Sequence, residues 1–117
     1  MAASLTIRQE GDVTVVDATG RIVMGDSATA LQVLLRRLIN EGTKKIVLNL
    51  AAVSFMDTAG MGEMVGCYVS ASRTGSKVRI CEVTRRILDL LQMTRLTSVL
   101  DIYDSEDEAL QSFRPSR

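Results

Sequence analysis

A chain of 117 residues can enclose one modest core and fits a single domain spanning residues 1–117. A hydrophobic content of 46% excludes a disordered chain, and 14 basic residues balance 14 acidic ones, so neither nucleic acid nor an anionic membrane is a default partner. Histidine is absent, which excludes His-dependent triads, His general bases and the usual zinc sites, and weighs against an enzyme.

The N-terminus, Met1-Ala2-Ala3-Ser4-Leu5-Thr6, lacks the basic and apolar regions of a signal peptide, and no apolar run is long enough to span a bilayer. A cytoplasmic location is expected. Leu5-Thr6-Ile7-Arg8 and Val13 to Ala18 read as two strands around a turn at Glu10-Gly11-Asp12. Gly20 punctuates the chain, and Arg21-Ile22-Val23 is expected as a short further strand. Asp26 or Ser27 is expected to cap a helix with the apolar stripe Leu31, Leu34, Leu35 and Leu38, ended at Gly42. Lys45 to Leu50 is nearly continuous aliphatic, the pattern of a central strand covered on both faces.

A helix is expected from about Gly60 to Arg73, with Met61, Met64, Val65, Tyr68 and Val69 at helical spacing and Thr74-Gly75 ending it. Lys77 to Cys81 reads as a strand. Thr84 can cap a helix carrying Ile87, Leu88 and Leu91, and Val99 to Tyr103 reads as a short final strand. Ser105-Glu106-Asp107-Glu108 has the Ser-x-x-Glu form of a capping box ahead of Ala109, Leu110 and Phe113. Residues 1–3 and 114–117 are expected to be loose. Strands alternating with helices after an opening hairpin give an α/β domain with a mixed sheet.

The stretch Val53-Ser54-Phe55-Met56-Asp57-Thr58-Ala59-Gly60-Met61-Gly62 carries the most information. It sets the hydroxyl of Thr58 beside the carboxylate of Asp57 where a strand gives way to a helix. Free N–H groups and partial positive charge at a helix start favour a phosphate there. Asp57 or Thr58 also reads as an ordinary N-cap, and the two roles are compatible, since a capping position is exposed. Gly60-x-Gly62-x-x-x-Gly66 departs from the dinucleotide fingerprint, because the third glycine falls one residue late and no acid follows at the expected distance. Its glycines read as mechanical: a sharp entry at Gly60, and close approach of a partner or neighbouring element at Gly62 and Gly66.

Met24, Met56, Met61 and Met64 fall around the same edge, as core filler or as an adaptable apolar contact surface. Glu106, Asp107 and Glu108 read as first-turn acids favoured by the helix dipole, and Arg36-Arg37 and Arg85-Arg86 as solvated faces. Cys67 and Cys81 lack Cys-x-x-Cys spacing and read as free thiols in the core. Metal clusters, phosphate-binding loops and nucleophile elbows have no counterpart in the sequence.

Asp57-Thr58-Ala59-Gly60-Met61-Gly62 resembles the Asp-Ser-(Ser/Thr/Ala)-Gly-Leu-Gly signature of bacterial anti-sigma-factor antagonists, small members of the sulphate-transporter and anti-sigma-antagonist (STAS) group. Ala18-Thr19-Gly20-Arg21-Ile22 resembles the family's Thr/Ser-Gly-Glu/Arg-Leu/Ile segment, and Lys45 to Leu50 followed by Val53 to Asp57 its central strand and the approach to the phosphoacceptor. Thr58 stands where Ser is usual, Ala59 where a second hydroxyl is common, and Met61 where Leu is usual. The resemblance implies a small mixed β-sheet packed by about four α-helices.

It further implies an anti-sigma-factor antagonist that binds an anti-sigma factor with Ser/Thr kinase activity and releases the sigma factor. Phosphorylation at Thr58 ends the complex and a protein phosphatase restores it. Partner binding is assigned to Asp57, Thr58, Ala59, Gly60, Met61, Gly62 and Met24, with no catalysis, cofactor, metal, nucleic acid or membrane. Two other readings stay open: a structural subunit of a stress-sensing assembly, and an accessory subunit of a lipid or anion transporter complex.

Overall fold

The computed structural model describes residues 3–114. In chain order it has β1 (Ser4–Glu10), β2 (Val13–Ile22), α1 (Asp26–Asn40), β3 (Lys45–Met56), α2 (Thr58–Arg73), β4 (Lys77–Cys81), α3 (Arg85–Met93), a 3-10 turn (Leu96–Ser98), β5 (Ile102–Tyr103) and α4 (Glu106–Gln111). The strands form one sheet in the order β1-β2-β3-β4-β5. The β1–β2 hairpin is antiparallel and the other pairings are parallel. This is the mixed sheet packed by four helices that the sequence leads one to expect.

Alternation along β3 explains the layers. Ile46, Leu48 and Leu50 point to one face and join Leu31 and Leu35 of α1, Met64 and Cys67 of α2, and Ile87 and Leu91 of α3 in the main core. Val47 points the other way, into a smaller cluster with Val13, Val15, Cys81 and Ala109 of α4. β3 is therefore the central, doubly covered strand that its aliphatic run predicts. Both cysteines are buried and unpaired. Burial pushes the Cys81 thiol up to about 12, so it behaves as a small apolar residue.

Several local expectations need correction. Gly20 does not end a strand. β2 runs on to Ile22 through two irregularities in its pairing with β3, at Asp17/Thr19 and Gly20/Arg21, which absorb the glycine without breaking the ladder. β3 continues past Leu50 to Met56, because the extended β2 gives its second half a partner.

Neither Asp26 nor Ser27 caps α1. Gly25 is the N-cap, and the Ser27 hydroxyl instead accepts from Val23 N–H (2.8 Å) and donates to the Val23 carbonyl (3.0 Å). α2 begins at Thr58, two residues before the expected start, and it buries Met61, Met64, Cys67 and Ala71 while Val69 faces outward. The final strand shrinks to Ile102–Tyr103, since the N–H groups of Val99 and Leu100 turn back to the Leu96 carbonyl at the end of the 3-10 turn Leu96–Ser98. Thr84 holds the N-cap position of α3 without a side-chain hydrogen bond.

Other signals read through directly. Gly42 (φ +89°) follows the α1 C-cap: its N–H reaches the Ile39 carbonyl and Thr43 N–H the Leu38 carbonyl, the Schellman pattern. Ser105 caps α4 by accepting from Glu108 N–H at 3.2 Å. Of the ends expected to be loose, residues 1, 2 and 115–117 lie outside the described residues. Ala3 packs against the main core and Arg114 is exposed.

Candidate functional site

The C-terminal ends of β2 and β3 stop side by side, with Ile22 paired to Met56. Two loops leave from there, one into α1 and one into α2. Asp57 ties them together. As N-cap of α2, its Oδ1 accepts from Gly60 N–H at 2.9 Å, and its Oδ2 accepts from Met24 N–H at 2.9 Å, 33 residues away in sequence. Its own N–H donates to the Ile22 carbonyl at 3.3 Å, and its carbonyl accepts from Met61 N–H. The two side-chain bonds, Gly60 first and Met24 second, hold the Asp57 carboxyl below the usual carboxylate range. It satisfies one orphan donor of the helix and pins the neighbouring loop.

Thr58 follows immediately, exposed in the first turn of α2. Its hydroxyl sits where helix N–H groups and the helix dipole favour added negative charge. No acidic residue lies in that first turn to oppose a phosphate, and the capping Asp57 directly precedes Thr58.

The seven candidate residues divide in two. Met24, Thr58 and Gly62 are exposed, Met24 at 77%, and Asp57 and Ala59 are half-buried. Gly60 and Met61 are buried, so they present no side chain outward and shape the surface from beneath. For Gly60 the reason differs from the turn that the sequence suggests. A Cβ there would stand 2.4 Å from the Ile22 carbonyl oxygen and 2.9 Å from Ile22 Cγ2. The helix starts hard against the end of β2, and only glycine allows it. At Gly62 and Gly66 a Cβ would meet nothing within 4 Å, so close packing within the chain explains neither. Met56 and Met64 belong to the core with Met61, leaving Met24 as the surface methionine of the four.

The structure adds residues that sequence spacing did not single out. Thr58, Met61, Gly62 and Val65 of α2 line an open groove of about 330 Å³ with Thr94 and Leu96. The Thr94 hydroxyl donates toward Met61 Sδ at 3.7 Å. On the other side, the Arg21 guanidinium lies 4.8 Å from the Phe55 ring centre. Met93, 81% exposed, lines a second apolar concavity with Phe55 and Leu90. Thr58 thus borders a largely apolar groove between α2 and the turn after α3. Phe55, one of only two Phe in the chain, was the available sequence signal.

Comparison with known proteins fits this geometry. The family model described as "STAS domain" matches residues 4–109. The anti-sigma F factor antagonist of Paenibacillus polymyxa is 37% identical over 65 residues, 56% of this chain and 56% of that protein, so the match spans about half of that relative's length. The crystal structure of an anti-sigma factor antagonist from Mycobacterium paratuberculosis superposes with a TM-score of 0.88 at 20% identity, covering 97% of this chain and 96% of that one. The Bacillus cell fate determinant SpoIIAA in its phosphorylated form gives a TM-score of 0.73 at 17% identity, covering 95% of this chain and all of that one (100%). At such identities the two structures establish the shared fold.

Proposed function

The chain belongs to the STAS domain family, and from that premise we propose that it is an anti-sigma-factor antagonist switched by phosphorylation of Thr58. Its partner is an anti-sigma factor that is also an ATP-dependent Ser/Thr kinase. Unphosphorylated protein binds that partner in the cytoplasm and the sigma factor is released. Phosphate transferred from ATP to the Thr58 hydroxyl weakens the complex, and a phosphatase restores it. The protein acts as ligand and substrate, without catalysis or cofactor of its own.

One observation carries the reading: an exposed hydroxyl directly after a capping carboxylate, at the positive end of α2 and amid exposed apolar surface. The Paenibacillus relative is named an anti-sigma F factor antagonist, and a Bacillus protein of the same fold has a phosphorylated form. Both support the reading. Met24, Asp57, Thr58, Ala59 and Gly62 form the contact surface, while Gly60 and Met61 hold its shape.

The switch has a physical basis. A phosphate adds roughly −1.5 to −2 charge near neutral pH. On Thr58 it meets a helix N-terminus, whose field tolerates an anion, so the domain stays folded. Binding is lost across the interface, through repulsion from partner acids and the cost of desolvating the phosphate. Asp57, whose carboxyl is held below the usual carboxylate range, adds a second negative charge to that repulsion near neutral pH.

The test is to incubate the protein with its cognate kinase and ATP and to map the phosphate by mass spectrometry. One phosphate on Thr58 is expected, and none on a Thr58→Ala variant that still binds the kinase. Phosphate on Ser54 or Thr19 with none on Thr58 overturns the reading.

A further inference from the structure

At the end of β3 opposite Thr58, the sheet gathers positive charge. Lys45 opens β3 and Lys77 opens β4, and the two are direct partners in the parallel ladder. Like charges placed opposite one another on a sheet are unfavourable. Arg79, two residues beyond Lys77, shares its sheet face, and Lys44 precedes β3. All four cations line one concavity of about 260 Å³, closed by Ser112 and Phe113 after α4, and no acidic residue lines it. In a chain with no net charge, such a grouping needs a physical reason.

Three of the four cations are also held in place. The Arg79 guanidinium stacks 4.2 Å from the Phe113 ring centre and donates through Nη1 to the Ser112 hydroxyl at 2.7 Å. Its Nε is buried and has no hydrogen-bond partner among the described residues. Lys44 Nζ donates to the Thr74 carbonyl at 3.3 Å. Lys45 is ion-paired with Asp12, 2.6 Å away, outside the lining of the concavity. Lys44, Lys77 and Arg79 meet no carboxylate within 4.0 Å among the described residues.

We propose that this concavity is a binding site for a compact oxyanion of the phosphate class carrying two or more negative charges. Such a ligand offsets the charge of Lys44, Lys77 and Arg79, which no carboxylate answers among the described residues, and accepts from Arg79, whose planar, pre-stacked donor group loses little freedom on binding. The ligand can be a soluble phosphate or diphosphate, or a phosphomonoester on a lipid headgroup. The site lies at the opposite end of β3 from Thr58 and shares no lining residue with the groove there. Lys44 and Lys77 are exposed, so binding is strongly screened by salt.

The experiment titrates the full chain at low salt with inorganic pyrophosphate, following backbone amides by NMR. A parallel arm measures sedimentation with phosphatidylcholine vesicles, with and without a phosphorylated inositol lipid. Saturable shifts at Lys44, Lys77, Arg79 and Ser112 are expected, weakened at least about tenfold in Arg79→Gln and in the double variant Lys44→Gln/Lys77→Gln. The double variant changes only exposed side chains and guards against misfolding of Arg79→Gln. Variant-sensitive pyrophosphate binding identifies a soluble ligand. Variant-sensitive binding to the phosphorylated vesicles alone identifies a headgroup. Absence of saturable binding in both arms, or equal binding by the double variant, overturns the proposal.

Discussion

Two carboxylates, Asp57 and Glu106, each clasp parts of the chain that are distant in sequence, and they do so to opposite effect. Asp57 spends both oxygens on backbone N–H groups, at Gly60 and Met24, and leaves the hydroxyl beside it exposed. Glu106, the first residue of α4, accepts from Arg8 on β1 and from Asn49 on β3, while Arg8 also engages Asp17 on β2. Its N–H is answered by the Glu82 carboxylate. The second arrangement is closed: every group answers another across the sheet face under α4. The first is closed only on the backbone side. A fixed carboxylate can therefore serve as a latch for a terminal helix or as a mount for a modifiable side chain. What stands next to it decides which.

The largest test of this contrast is steric. Gly60→Ala drives a Cβ into the Ile22 carbonyl oxygen, a backbone atom that cannot swing aside. The helix start must move, and the Asp57 clasp moves with it. We expect a loss of about 1–3 kcal/mol, the range for overpacked sites, in chemical denaturation, together with loss of Thr58 phosphorylation.

Asp57→Ala comes next. It frees Met24 N–H and Gly60 N–H together, so the two loops should uncouple. Faster amide exchange at Met24 and Gly60, a lower melting temperature and slower phosphorylation of Thr58 are expected. Unchanged exchange at Met24 would show that the loops are held by something else.

The closed network predicts a smaller, pH-dependent effect. Hydrogen bonds from Arg8 hold the carboxyls of Asp17 and Glu106 below their ordinary values, for Glu106 with help from Asn49. Their folded-state pKa values lie under the unfolded ones. Their contribution is therefore fully present above the ordinary carboxylate range, near pH 4, and is lost as pH falls through the depressed values. Glu106→Gln should flatten the acid limb of the stability curve. Arg8 is 39% exposed, so solvent screening keeps the Arg8–Glu106 coupling in a double-mutant cycle to at most about 1 kcal/mol.

The smallest expected change has the opposite sign. Gly62 lies inside α2 with open space where a Cβ would go. Gly62→Ala should stabilise the free protein by about 0.5–1 kcal/mol. It should also weaken partner binding if the open position at Gly62 serves the interface.

These cases show what a sequence can disclose. Local chemistry was legible: the Schellman glycine at Gly42, the Ser105 cap, the aliphatic run of β3 and the Asp57 cap of α2 are each written within a few residues, whereas the second bond of Asp57, to Met24, is not. Long-range choices were hidden. Gly60 looks like a turn residue until Ile22 is seen against it. Glu106 looks like a dipole acid until Arg8, 98 residues away, is found at its side chain. Gly20 stays within β2 because β3 offers a partner along its second half, a tertiary preference that overrides the breaker signal. Thr94 and Leu96 reach the groove beside Thr58 only through the packing of α3 and its following turn.

The central claim is that charge placed on Thr58 changes binding without changing the fold. It is tested most directly by titrating the unphosphorylated and the Thr58-phosphorylated protein against the cognate anti-sigma kinase in a calorimeter, with circular dichroism on both. The account predicts superimposable spectra and an affinity at least about tenfold weaker for the phosphorylated form, about 1.4 kcal/mol. Equal affinities for two equally folded proteins would contradict it.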